Sequence, residues 1–158
     1  MPHIPAQALY DACSAGDAAA VSRLLPAGGT RLNLSGRSFQ TTVTKRTPLI
    51  AAAACRHTEI VRIILERAPN TDVEYVDAND DTALLIATEY HHADILRLLA
   101  DHGGNVNVRD QWQNTPLRAA VLQIHHNGPP RDPDPDGARQ VATLRALLRL
   151  GAGTLPPS

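Results

Sequence analysis

Two kinds of apolar phrase alternate along this chain. One is a run of small residues: Ala51, Ala52 and Ala53, later Ala87 with Thr88, later still Ala119 with Ala120. The other is a one-sided stripe, in which Ile60, Ile63 and Ile64 of "TEIVRIILER" and Ile95, Leu98 and Leu99 of "ADILRLLADH" stand at i, i+3, i+4 with polar residues on the far side. That spacing predicts amphipathic helices from 58 and 93, and "RQVATLRALLRL" predicts another from 139. The small-residue runs predict helices that neighbouring backbones can approach closely.

The starts of the small-residue helices are marked. Thr47-Pro48-Leu49, Thr82-Ala83-Leu84 and Thr115-Pro116-Leu117 begin at intervals of 35 and 33 residues. A Thr hydroxyl at the N-cap accepts from an orphaned backbone N–H, and Pro suits the first helical position. Helices are therefore predicted to begin at 48, 83 and 116. A weaker copy, "ALYDACSAGDAAAVSRLLPAGG" from 8 to 29, places Ala12 and Cys13 in the small positions and Val21, Leu24 and Leu25 in the apolar ones. It lacks the Thr-Pro start, as a terminal unit can. A helix pair of this kind cannot bury its apolar face alone, and stacking the copies makes one continuous core.

In these features the chain resembles the ankyrin-repeat family, whose unit is a Thr-Pro-Leu helix start, a small-residue helix, a turn, an apolar helix and a finger ending in Asp-Val-Asn. "DHGGNVNVRDQWQNTPL", 101–117, matches that unit closely, and "DVEYVDANDDTAL", 72–84, less so. The resemblance implies an all-α solenoid of four repeats at about 4–46, 47–81, 82–114 and 115–153, joined by finger-like β-turn loops, with an inserted loop at about 125–137. Two departures stand out. The His that usually follows Thr-Pro-Leu is replaced by Ile50, Leu85 and Arg118, which removes its hydrogen bonds at the helix start. The turn Gly between helices is kept only at Gly16; Arg56, His91 and Ile124 replace it, and β-branched Ile is poor at positive φ. "HHNGPPRDPDPDG", 125–137, dense in Pro, Gly and Asp, reads as an exposed loop where that fourth turn would be.

Composition narrows the function. Fifteen Lys and Arg against 16 Asp and Glu leave no overall field for nucleic acid or an anionic membrane. Two cysteines in no zinc-like spacing point to a reducing, cytoplasmic setting, and neither an export signal nor a membrane span is read. His91-His92 and His125-His126 are metal candidates by residue type, but His57 and His92 fall at the family's structural turn-His place and no thiolate or carboxylate completes a set. "DPDPDG", 132–137, opens like a calcium loop, yet Thr143 stands where a bidentate Glu is needed. Cys55 lies two residues from His57 without a third group to orient a base. The expectation is no metal, no cofactor and no catalytic residue. Basic residues gather at 28–58 (Arg31, Arg37, Lys45, Arg46, Arg56) and acids at 72–81 (Asp72, Glu74, Asp77, Asp80, Asp81), so adjacent fingers are opposite in sign. This fits a bipolar recognition strip and, equally, fingers that attract each other.

The resemblance implies a non-enzymatic, monomeric module that binds a partner protein on the finger tips and the concave face of the inner helices. Its variable positions are Thr44, Arg46, Ala54 and Cys55; Asn79, Asp81, Glu89 and Tyr90; and Gln111, Trp112, Asn114, Leu122 and Gln123. The alternative is an oligomerisation element or regulatory subunit of a separately encoded enzyme.

Overall fold

The computed structural model describes residues 6–25, 34, 45–122 and 137–153. Eight helices occur among them: α1 (Ala6–Ala15), α2 (Ala18–Leu24), α3 (Pro48–Ala54), α4 (Thr58–Arg67), α5 (Ala83–Glu89), α6 (Ala93–Asp101), α7 (Pro116–Leu122) and α8 (Ala138–Arg149). They pair in sequence order and stack in two layers. The first helices of the pairs pack in the order α1, α3, α5, α7, and the second helices in the order α2, α4, α6, α8. The expected all-α solenoid is what forms, with no strand among the described residues.

The Thr starts work as capping chemistry requires. Thr47 and Thr82 accept through Oγ1 from the N–H groups of Ile50 and Leu85 at 3.3 and 3.2 Å, and Thr115 does the same for Arg118 at 3.3 Å. Past each cap the small residues do their packing: Ala52, Ala53, Ala87 and Ala120 are fully buried in the inner layer. In place of the missing His, Ile50 and Leu85 are themselves buried, so apolar burial occupies those positions. Across the outer layer the stripe is filled by Ile60, Val61 and Ile64 of α4, by Ile95, Leu96 and Leu99 of α6, and by Thr143, Ala146 and Leu147 of α8. Leu98, read with Leu99 as part of the stripe, is only half-buried.

Helix ends repeat one device. After α3 the N–H of His57 reaches back to the carbonyl of Ala52 at 3.0 Å while that of Arg56 reaches Ala53, and after α5 His92 and His91 bond Ala87 and Thr88 likewise. After α6, Gly104 and Gly103 bond Leu99 and Ala100. This Schellman pattern needs a left-handed residue, normally Gly. Gly103 and Gly151 meet that need, but Arg56 (φ 61°) and His91 (φ 58°) are forced into it. Gly16 has a second reason to be Gly: a Cβ there would lie 2.6 Å from the His57 ring.

Histidines set the stacking register. His57 Nε2 lies 3.3 Å from the carbonyl of Ser14, and His92 Nδ1 lies 2.9 Å from that of Ala53, each at the end of the preceding inner helix. The Arg67 guanidinium donates to the carbonyls of Ser22 and Leu25 at 2.9 and 2.7 Å, satisfying the open end of α2.

Candidate functional site

The fingers are built on a buried carboxylate. Asp110 Oδ1 accepts from the N–H groups of Trp112 and Asn114, both at 2.8 Å, and Oδ2 accepts from the Asn114 side chain at 2.9 Å. One finger earlier, Asp77 Oδ1 accepts from Asn79 at 2.8 Å and Asp81 at 3.3 Å. The backbone N–H groups of Asp77 and Asp110 donate to the carbonyls of Asp81 and Asn114, and those of Asp80 and Gln113 donate back to the carbonyls of Asp77 and Asp110, which puts the chain into a tight turn. The turn leaves through a left-handed residue, Asp80 in one finger and Gln113 in the next; Lys45 takes the same conformation at the equivalent place. Each such residue directly precedes the pair that starts the next helix. The finger tip is thus held rigidly by a side chain that water cannot reach.

That arrangement divides the expected contact positions. Gln111 and Trp112 are exposed at the tip, with Trp112 52% accessible, and Leu122 is 56% accessible at the end of α7. Asn79, Cys55, Ala54 and Tyr90 are half-buried. Tyr90 packs on the core and lies 6.0 Å, centroid to centroid, from the His92 ring. Asp81, Glu89 and Asn114 are buried, and the Asn114 side chain donates to Asp110 within the finger. Thr44 and Gln123 lie outside the described residues. Arg46 is half-buried and its Nε sits 3.2 Å from Asp77 Oδ2, an ion pair between adjacent fingers. The opposite charges of the two fingers therefore act at least partly on each other.

No group of three His, Cys, Asp or Glu side chains able to hold a metal gathers among the described residues. His91 and His92 are buried side chains, and His125-His126 and the first residues of "DPDPDG" lie outside the described structure. Burial pushes the Cys13 thiol up to about 12, which removes it as a nucleophile at neutral pH. Burial likewise holds His92 below its usual range. No helix among the described residues is long and apolar enough to cross a membrane.

Sequence reasoning passed over Val121, Val141 and Leu148, each more than half exposed. The available signal was positional: they stand in the last helix pair, where the residues that other pairs bury beneath a following repeat have no described repeat above them. Thr115, Leu117, Arg118, Val121 and Leu122 line an open groove of about 430 Å³ there.

A family model described as "Ankyrin repeats (3 copies)" matches residues 5–77 and 68–128. The human "Ankyrin repeat and KH domain-containing protein 1" is 34% identical over 109 residues, 69% of this chain and 4% of that protein. The Drosophila melanogaster "Ankyrin repeat and KH domain-containing protein mask" is 33% identical over 110 residues, 70% of this chain and 3% of that protein. An ankyrin repeat-containing protein of Schizosaccharomyces pombe is 44% identical over 52 residues, 32% of this chain and 25% of its own length. The chain thus spans a small part of each of these relatives.

Proposed function

The chain belongs to the ankyrin-repeat family, and on that premise we propose that it is a non-enzymatic module whose finger tips and inner helices bind a partner protein. The contact surface in this reading is Gln111 and Trp112 at the tip, Asn79 on the neighbouring finger, and Ala54, Cys55, Tyr90 and Leu122 at the ends of the inner helices. Thr44, Arg46 and Gln123 join it by repeat position. Asp81, Glu89 and Asn114 serve this surface from beneath. The module acts as a cytoplasmic monomer, in keeping with its two free cysteines.

One observation carries the reading. Trp112 is half exposed while its backbone N–H is fixed by the buried Asp110. A large aromatic held in place before binding loses little entropy on contact, and such residues dominate interface energetics.

Trp112 is also the only tryptophan, so its emission reports on this surface alone. Free protein is expected to emit as a water-exposed indole. A partner captured with the intact chain and then purified should shift or quench that emission, and Trp112→Ala should weaken its binding by about tenfold or more with helical content and melting unchanged. Tyr90 is less suitable for this test because it packs on the core. Normal binding by Trp112→Ala, or unfolding of that variant, would show the surface to be wrongly assigned.

A further inference from the structure

The two ends of an inner-layer position tell different stories along the stack. In the third helix pair, Leu84, Leu85, Thr88 and Glu89 are all at most 1% exposed, because α7 packs over α5. Thirty-three residues later the same places are Leu117, Arg118, Val121 and Leu122. There Arg118 is exposed, Leu117 is half-buried, and Val121 and Leu122 are 55% and 56% accessible.

The outer layer repeats the contrast. Counting back from the glycine that ends each helix, Gly103 and Gly151, Leu144 and Leu148 of α8 take the places of Leu96 and Ala100 in α6, and hence of Val61 and Leu65 in α4. Val61 and Leu65 are buried, whereas Leu148 is 62% accessible. Val141 holds the place of Thr58, whose hydroxyl donates to Asp94 of the following pair at 2.6 Å, so this position faces the next repeat. Val141, Leu144 and Leu148 thus form an i, i+3, i+7 stripe on the same side as Val121 and the groove. Four of the six large apolar residues exposed among the described ones, Val121, Leu122, Val141 and Leu148, belong to this last helix pair. Apolar exposure gathered on one helix pair points to an interaction site.

Charge selects the occupant. Between residues 115 and 153 the sequence carries five arginines, Arg118, Arg131, Arg139, Arg145 and Arg149, against Asp132, Asp134 and Asp136 in the insertion, and the helices α7 and α8 themselves carry Arg118, Arg139, Arg145 and Arg149 and no acid. A two-fold contact between copies would set these arginines against their counterparts, a like-charge arrangement that disfavours self-association. Shape selects it too, because the equivalent surface of α5 is filled by a helix.

We propose that the α7–α8 end of the stack is a second docking surface, which takes an amphipathic helix of a partner protein, apolar along one face and flanked by Asp or Glu. The helix lies in the groove of Thr115, Leu117, Arg118, Val121 and Leu122, and its acidic flanks meet Arg118 and Arg145. This surface shares only Leu122 with the finger-tip surface and stands whether or not Trp112 contacts a partner.

The test uses two designed helical peptides of about 18 residues, long enough to be helical when docked, with Leu and Ala on one face and either Glu or Lys on the flanks. Titration calorimetry with the full chain is expected to show saturable one-to-one binding of the Glu peptide and at least about tenfold weaker binding of the Lys peptide. Val121→Ser and Leu148→Ser should each weaken the Glu peptide by about tenfold while circular dichroism stays that of the parent chain. Arg118→Glu combined with Arg145→Glu should reverse the peptide preference, and Trp112→Ala should bind as the parent does. Equal binding of both peptides, or indifference to Val121→Ser, overturns the proposal. So does a dimer in sedimentation that Val121→Ser dissociates, which makes this face a contact between copies. Binding that appears only after residues 126–136 are shortened overturns it as well, since the groove would then be covered by the chain's own insertion.

Discussion

At the scale of single residues, His92 shows how a side chain read as a metal candidate serves the stack. Its ring is buried, which disfavours the charged imidazolium and outweighs the opposing effect of the Nδ1–H bond to the Ala53 carbonyl. Burial lowers its affinity for a proton. A group whose folded value is depressed adds stability above its unfolded value, about 6.5 for His, and that stability is lost as pH falls through the folded value. Melting temperature should therefore fall on acidification from pH 7 to about 5, and His92→Gln should flatten this part of the profile. Gln is the substitute chosen because its side-chain amide keeps an N–H donor for the Ala53 carbonyl and does not titrate. Asp94 acts in a lower window. Burial alone would raise it, but the Thr58 hydroxyl and the N–H groups of Ile95 and Asp94 hold it below its usual value, so its contribution is lost only in stronger acid. An identical pH slope in the parent and His92→Gln would assign the acid sensitivity elsewhere.

At the scale of elements, the turns and fingers carry the strain and the order. An L-residue in the left-handed region costs about 1–2 kcal/mol, against about 0.5–1 kcal/mol of extra unfolded-state entropy for Gly. Arg56→Gly should therefore stabilise the protein by about 0.5–1 kcal/mol in urea unfolding. Gly16→Ala should cost more than about 2 kcal/mol, since its backbone is left-handed and its Cβ would strike His57. The reverse ranking would mean that the side chain of Arg56 is worth more than its backbone costs. In the fingers, Asp110→Ala removes an acceptor shared by two backbone N–H groups and the Asn114 amide. A loss of about 2–4 kcal/mol is expected, with faster amide exchange at Trp112 and Asn114. Unchanged exchange there would show that the finger keeps its shape without the carboxylate.

At the scale of the whole molecule, each helix pair depends on its neighbours, so stability is shared along the stack. Residues 126–136 interrupt the last pair without adding apolar periodicity. Replacing them with a short Gly-containing turn, while keeping left-handed Gly137 ahead of α8, should leave unfolding cooperative and melting within about 4 °C, because loop length enters stability only logarithmically. A split or strongly lowered transition would show that the insertion packs against the body.

Much of this was legible from local chemistry. The Thr starts at 47, 82 and 115, the helix phase of Ile60–Ile64 and Ile95–Leu99, and the period that joins them all act within one turn or one repeat, where sequence distance and spatial distance nearly coincide. What lay beyond the repeat was decided by stacking. Sequence position alone makes Asp81, Glu89 and Asn114 look like Gln111 and Trp112, all standing in fingers or inner-helix ends. Only the neighbouring helix pair and the finger carboxylates bury the first three and leave the other two in solvent. The same holds at the far end, where Leu122 is open and its counterpart Glu89 is covered. Burial is a property of what packs on top, and a periodic sequence repeats its letters without recording which copy has a neighbour.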